Sequence, residues 1–87
     1  MPALFREAEL HSLLIAEGSP AAGKLIGELR LRTQCGASIV GIERAEQNII
    51  NPGPDEELRP GDHVLLLGSL EQLEVARTLV EKRPAPG

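Results

Sequence analysis

The hydrophobic residues of the chain fall into short runs, and several of these runs predict β-strands. Residues 9–16 can place alternate side chains on opposite faces, which is typical of a strand covered on much of both sides. Residues 38–44 are rich in β-branched side chains and predict a second strand, with a bulge or a close backbone approach at Gly41. Residues 47–51 and 63–67 predict the third and fourth strands.

Two other stretches have helical spacing. Residues 20–32 place apolar side chains in one stripe, with Ser19 as the predicted N-cap and Gly36 ending the helix. Ser69 is predicted to cap a last helix, whose apolar residues recur at helical intervals as far as Val80. The order strand, helix, three strands, helix predicts an α+β domain, a small four-stranded sheet with two helices packed on it.

The boundaries of this domain are predicted at residues 9 and 82. Residues 1–8 are interpreted as a linker from a preceding domain or as the start of the chain, because Leu4 and Phe5 gain little by exposure at a free terminus. Residues 83–87 are predicted to be a disordered tail.

The length of the chain limits its core. A domain of 87 residues buries only about 60–65% of its unfolded surface, so a second copy would add useful stability. No apolar run approaches the roughly 18 residues that cross a bilayer, and no membrane insertion is expected. The single cysteine, Cys35, excludes an internal disulfide.

Composition also excludes several function classes. The chain has 9 Lys and Arg against 13 Asp and Glu, and one aromatic residue, so it lacks the basic, aromatic-rich face of nucleic-acid binders. Two histidines and one cysteine are too few for a zinc site, and no metal site is predicted. No base stands beside any serine, and we expect no catalytic residues.

One enzymatic alternative rests on residues 18–25, which match most of the phosphate-loop motif G-x-x-x-x-G-K-[ST]. Leu25 stands where the motif needs a hydroxyl for Mg²⁺, and Pro20 removes one backbone donor. We therefore interpret the segment structurally, with Ser19 as the helix cap and Gly23 in a close backbone contact. A weaker anion site at the helix start, beside Ser19 and Lys24, remains a hypothesis.

Arg44 ends the second predicted strand, where its guanidinium could reach a carboxylate or a phosphate of a ligand. The alternative is a rim arginine paired with Glu43 or Glu46. The acidic residues 55–57 are interpreted as a solvated loop, with divalent-cation binding as the alternative, and Leu58 is predicted to anchor that loop in the core.

Taken together, five segments resemble a known family: Gly23-Lys24-Leu25, the run from Gly36 to Arg44 (GASIVGIER), Ile50-Asn51-Pro52, Pro60-Gly61-Asp62 and Leu65-Leu66-Leu67-Gly68. The family is the TrkA-C domain, the C-terminal lobe of RCK (regulator of K⁺ conductance) modules. The resemblance covers nearly the whole chain.

This resemblance implies a cytoplasmic regulatory domain, covalently attached to a transmembrane cation channel or antiporter or to the N-terminal lobe of an RCK module. It implies a homodimer and, as in several members, a small ligand such as cyclic di-AMP (c-di-AMP) held between the two copies. No cofactor is certain. By position, the predicted ligand contacts are Arg44, Asn48 and Asn51 on the hairpin of the second and third strands, followed by Ser19 and Lys24.

A competing hypothesis is a purely structural dimerisation module of a cation transporter or permease. In that case side chains fill the cleft between the two copies, and no ligand binds. A ligand that binds only the folded state would raise the thermal midpoint, which separates the two hypotheses.

Overall fold

The computed structural model describes residues 7–81, whose strands form one antiparallel sheet with helices packed against one face. Its elements in chain order are β1 (Glu9–Leu14), α1 (Ile26–Leu29), α2 (Leu31–Gln34), β2 (Ser38–Glu43), β3 (Ile49–Ile50), β4 (His63–Gly68) and α3 (Leu70–Val80). The predicted α+β fold and the four-stranded sheet are confirmed. Residues 1–6 of the predicted linker and the predicted tail at 83–87 lie outside the described residues.

The last strand occupies the middle of the sheet, whose order is β1-β4-β2-β3. Leu13 of β1 and Ile42 of β2 both stand opposite Val64 of β4. Directly opposed residues share a face, so these three side chains define the face that carries the core. The register of β2 against β4 shifts between Ile39 and Gly41, which confirms the predicted bulge.

The core lies between this face and the helices. Leu58 is fully buried within it, which confirms that the acidic loop is anchored by this residue. The other buried apolar residues come from every part of the described chain: Leu13, Ile15, Ala21, Leu31, Ala37, Ile42, Val64, Leu66, Leu73, Ala76 and Val80.

The helix predicted for residues 20–32 is wrong. Arg30 has a left-handed backbone (φ 51°, ψ 42°) that separates α1 from α2. Ahead of α1, the Gly23 N–H donates to the Leu58 carbonyl at 2.8 Å, and the Leu58 N–H donates to the Lys24 carbonyl at 2.9 Å. These bonds to a distant segment occupy backbone groups that a helix would use, so tertiary pairing overrides the local pattern.

Ser19 consequently caps no helix. Its Oγ accepts a hydrogen bond from the Ala21 N–H at 3.0 Å and donates to the carbonyl of Val80 at the end of α3. The hydroxyl therefore joins the turn after β1 to the last helix.

The remaining helix boundaries are confirmed. The Oγ of Ser69 accepts from the Gln72 N–H at 3.2 Å, and the Gln72 side chain accepts from the Ser69 N–H, a complete capping box for α3. Gly36 follows α2 with φ 83°, and a Cβ there would lie 2.5 Å from Nε2 of Gln72. The left-handed backbone favours glycine here, and a larger residue would also require the Gln72 side chain to move.

No element within residues 7–81 covers the second face of the sheet, which we call the open face, contrary to the expectation that β1 is covered on much of both sides. Leu10, Leu14, Leu67 and Ile50 lie on this open face and are all exposed. Ser12 and Ser38 are the small polar residues between them. None of the helices within residues 7–81 has the length and hydropathy needed to cross a bilayer.

Candidate functional site

A groove of about 460 Å³ lies between the α1–α2 segment, the start of β2 and the loop that follows β3. Its lining combines apolar side chains with guanidinium and hydroxyl groups. The residues of this groove are Ile26, Gly27, Arg30, Leu31, Arg32, Thr33, Ala37, Ser38, Ile39, Pro52 and Pro54. Its size is that of a small-molecule site.

Gly27 of α1 and Pro54 of the loop after β3 both line the groove and contact each other. The Gly27 N–H donates to the Pro54 carbonyl at 2.9 Å, and a Cβ at Gly27 would lie 3.0 Å from Cβ of Pro54. The absence of a side chain therefore lets the post-β3 loop lie directly on α1. This contact fixes how far apart the two walls stand.

Two arginines give the groove its charge. Arg30 and Arg32 are exposed, and neither forms an ion pair with another side chain in residues 7–81. Thr33 and Ser38 add hydroxyls, and Ile39 adds an apolar surface. Guanidinium groups recognise phosphate oxygens, whereas apolar side chains accept the flat face of a base. The set suits an anionic ligand with an aromatic part, such as a nucleotide.

Arg44 lies at the other end of β2, in a cluster with Glu56 and Asp62 that we call the Arg44 cluster. Its Nε and Nη2 donate to the two carboxylate oxygens of Asp62 at 2.9 and 2.8 Å. Nη1 donates to Glu56 at 3.2 Å, and Nη2 also donates to the Glu57 carbonyl at 2.9 Å. The alternative that Arg44 pairs with its sequence neighbours Glu43 or Glu46 is wrong. The fold instead brings the more distant Glu56 and Asp62 to the arginine.

The charges of Arg44 and Asp62 interact strongly because little water screens them. Their side chains are 9% and 2% exposed. The hydrogen bonds to Asp62, opposed by burial, raise the pKa of Arg44 further above its ordinary value. Burial acts to raise the pKa of Asp62, but the hydrogen bonds from Arg44 and from the Arg59 N–H, with their positive charges, hold it below the usual range. Both groups are therefore charged at neutral pH.

The structure does not gather the five predicted ligand contacts into one site. None of them lines the groove, and Arg44 lines a separate hollow of about 130 Å³ beside Gly61 and Asp62. Asn48 and Lys24 are exposed, and Asn51 bonds through its backbone N–H to the Val40 carbonyl at 3.0 Å. Their contact with a ligand stays a prediction.

Sequence reasoning missed the groove residues. The prediction of one continuous helix over residues 20–32 gave no reason to single out Arg30 or Arg32, and the structure breaks that helix at Arg30 itself. Asp62 was named only within the family-like segment Pro60-Gly61-Asp62, and its pairing with Arg44 was not predicted because the two residues are 18 positions apart. The phosphate-loop alternative loses its structural context, because no helix begins at Gly23 or Lys24. Residues 7–81 contain no group of three or more potential metal-ligating side chains.

Comparison with known proteins gives a family match over almost the whole described chain. The family model of the TrkA-C domain matches residues 10–80. A probable potassium channel protein 2 of Methanocaldococcus jannaschii is 35% identical over 77 residues, which are 88% of this chain and 22% of that protein. A putative K⁺ efflux antiporter KefB of Alkalimonas amylolytica is 35% identical over 80 residues, 92% of this chain and 12% of the antiporter. The chain thus spans a minor part of these relatives.

Solved structures agree with the family match. An RCK_C domain dimer of S. agalactiae BusR in complex with c-di-AMP has a TM-score of 0.76 and 34% identity, over 85% of this chain and 97% of that one. The RCK C domain of the potassium transport protein KtrA with c-di-AMP has a TM-score of 0.76 and 30% identity, over 87% of each chain. The GsuK channel bound to NAD has a TM-score of 0.74 and 30% identity, over 92% of this chain and 15% of the channel.

Proposed function

The chain belongs to the TrkA-C domain family, and we propose that it is the regulatory domain of a K⁺ channel or of a K⁺ or Na⁺/H⁺ antiporter, controlling cation transport by binding a nucleotide. The observation that carries this proposal is the groove, which is lined by apolar side chains and by two arginines that form no ion pair within residues 7–81. The relatives support the link to transport, because they are a potassium channel and a K⁺ efflux antiporter. We further propose a cytoplasmic location, with the transporter or an RCK N-terminal lobe covalently attached.

The nature of the ligand follows from the chemistry of the groove. Arg30 and Arg32 offer planar donors to phosphate oxygens, and Ile39 with the two prolines offers an apolar surface to a base. Related structures hold c-di-AMP or NAD, both of which contain phosphates and adenine. We take c-di-AMP as the first probe and regard the absence of nucleic-acid binding as a separate prediction, since two structures of BusR contain promotor DNA.

Binding of c-di-AMP to the 87-residue chain is expected to raise its thermal midpoint by several degrees at saturation, because a ligand that binds only the folded state stabilises it. Replacing Arg32 by glutamine should weaken binding about tenfold, since it removes one charged hydrogen bond to the ligand. Differential scanning fluorimetry with an external dye measures both effects, because the chain has no Trp or Tyr.

Arg77→Gln is the matched control for this experiment, because Arg77 lies on α3 and lines neither the groove nor the hollow beside Arg44. A midpoint that stays unchanged with c-di-AMP, NAD and AMP would contradict a ligand-binding role. A dimer without ligand would then favour the structural dimerisation module.

Homodimerisation is the second part of the proposal, and the open face of the sheet is the surface we assign to it. The face carries the exposed apolar side chains of Leu10, Leu14, Leu67 and Ile50, of which Ile50 is 83% exposed, and Glu43 and His63 lie only in the row of Leu14. Covering such a face removes apolar surface from water. The stability gained is important for a small domain, because its own core is thin. Ser38 belongs both to this face and to the groove, so a second copy here would lie beside the ligand.

Ile50→Glu is expected to convert the dimer to a monomer without unfolding it, because the side chain is exposed in one copy and would be desolvated between two. Val75→Glu is the control, since Val75 is 45% exposed but lies on α3, away from the open face. Analytical ultracentrifugation over a concentration series measures the change. Equal dissociation constants for Ile50→Glu and the parent chain would contradict this choice of surface.

A further inference from the structure

We propose that Arg44 is a positioning residue for the groove and does not itself touch the ligand. This inference rests on the proposed function, because it concerns the same ligand site. It begins from the bonds that Arg44 already makes. Four of the five N–H donors of its guanidinium are engaged by Asp62, Glu56 and the Glu57 carbonyl.

The partners of Arg44 belong to the segment that forms one wall of the groove. This segment runs antiparallel to residues 23–27, and Leu25 and Glu57 form a β-bridge between the two. The Ile26 N–H donates to the Glu56 carbonyl at 2.9 Å, two residues from the contact of Pro54 with Gly27. A bond to the Glu56 side chain therefore acts on the backbone that carries Pro54 into the groove.

Arg44 also fixes the far end of the same segment. Its bidentate bond holds Asp62, whose Oδ2 accepts from the Arg59 N–H at 2.9 Å and whose carbonyl accepts from the Ile15 N–H at 2.8 Å. The segment from Glu56 to Asp62 is thus held at both ends by one guanidinium at the end of β2. Releasing either end would let the wall move and would reduce the fraction of molecules whose groove is shaped for the ligand.

The geometry opposes direct contact between Arg44 and the ligand. The side chain is 9% exposed and lines the hollow beside Asp62, not the groove. Turning it toward a ligand would leave Asp62, with 2% exposure, as an unpaired buried charge, which is strongly unfavourable. The arginines that face the groove are Arg30 and Arg32.

The first test uses the unaltered chain and ¹⁵N NMR. Titration with c-di-AMP is expected to shift the Nε–H resonances of Arg30 and Arg32 and the backbone amide of Gly27, while the Nε–H of Arg44 stays in place. The Arg44 resonance is assigned from its loss in Arg44→Lys. An Arg44 resonance that shifts as far as those of Arg30 and Arg32 would overturn the proposal.

The second test separates positioning from folding with a mild variant. Glu56→Gln removes one carboxylate from Arg44 while Asp62 still holds the guanidinium, and Glu56 does not line the groove. We expect c-di-AMP affinity to fall about three- to tenfold, the range of one net hydrogen bond. Glu57→Gln is the control, because Arg44 bonds the backbone carbonyl of Glu57 rather than its side chain.

Each outcome of this second test decides the matter. Unchanged affinity in Glu56→Gln, with the parent chain binding c-di-AMP normally, would overturn the positioning role and leave the proposed function intact. Failure of the parent chain to bind c-di-AMP, NAD or AMP would overturn both. Weaker binding in Glu56→Gln, together with an unchanged Nε–H of Arg44 in the parent chain, supports the proposal.

Discussion

Asp62→Asn is expected to lower the free energy of unfolding by about 3 kcal/mol, the lower part of the range for breaking a buried ion pair. The substitution keeps the size of the side chain but leaves the buried Arg44 guanidinium facing an amide that accepts through one oxygen. Glu56 and the Glu57 carbonyl still bond Arg44, which keeps the loss from being larger. Urea unfolding followed by far-UV circular dichroism measures the change.

The control for this substitution is Asp55→Asn, the same chemical change at an exposed residue outside the Arg44 cluster. It is expected to change stability by less than about 0.5 kcal/mol. Similar stabilities of Asp62→Asn and Asp55→Asn would contradict the structural role assigned to Arg44 and Asp62.

Acidity should act on the same ion pair. The pKa of Asp62 lies below its ordinary value of 3.8 in the folded chain, so the carboxylate contributes stability above that pH. This contribution is lost as the pH falls from that value through the folded-state pKa, because in this range the unfolded state binds the proton more readily than the folded state. The difference in stability between the parent chain and Asp62→Asn should therefore shrink below about pH 4.

The strands and the last helix were predictable because their signals are local. The alternation in β1, the capping box between Ser69 and Gln72, and the bulge at Gly41 depend on residues close together in the chain. The family, too, follows from short segments at characteristic spacing, and the match to the TrkA-C domain over residues 10–80 confirms it.

The groove and the Arg44 cluster were hidden because they depend on long-range contacts. Residues 20–32 have helical spacing of apolar residues. The backbone of Gly23 and Lys24 nevertheless forms hydrogen bonds with the backbone of Leu58 in place of helical ones. Arg44 has acidic neighbours on either side in the chain, yet it bonds acids 12 and 18 residues away. Local sequence lists the charges that could pair, but the sheet order, with β4 beside β2, decides which of them meet.

These long-range contacts converge on the loop between β3 and β4. The loop has no regular secondary structure of its own, but it lines the groove through Pro52 and Pro54 and bonds α1 through its backbone. Arg44 holds the loop by a hydrogen bond to the Glu57 carbonyl, and the side chain of Leu58 holds it by packing in the core. The shape of the ligand site therefore depends on one charged residue, Arg44, and one apolar residue, Leu58.

Leu58→Ala is the test of the inner anchor, and we expect it to cost about 3 kcal/mol of unfolding free energy. Leu58 is fully buried, and its backbone is already fixed by two hydrogen bonds to residues 23 and 24, so the wall cannot collapse into the cavity left by the missing methyl groups. The thermal midpoint should fall by roughly 10 to 20 °C for a domain of this size. Circular dichroism at 222 nm measures it.

Leu70→Ala is the matched control, because Leu70 is 51% exposed at the start of α3, where alanine favours the helix. Its midpoint should stay within a few degrees of that of the parent chain. If Leu58→Ala were as stable as Leu70→Ala, the loop would be held by its hydrogen bonds alone, and the apolar anchor would be dispensable. A large fall in midpoint confined to Leu58→Ala would instead mean that one side chain supports both the core of the domain and the wall of its ligand groove. Folding and ligand binding would then depend on the same contact.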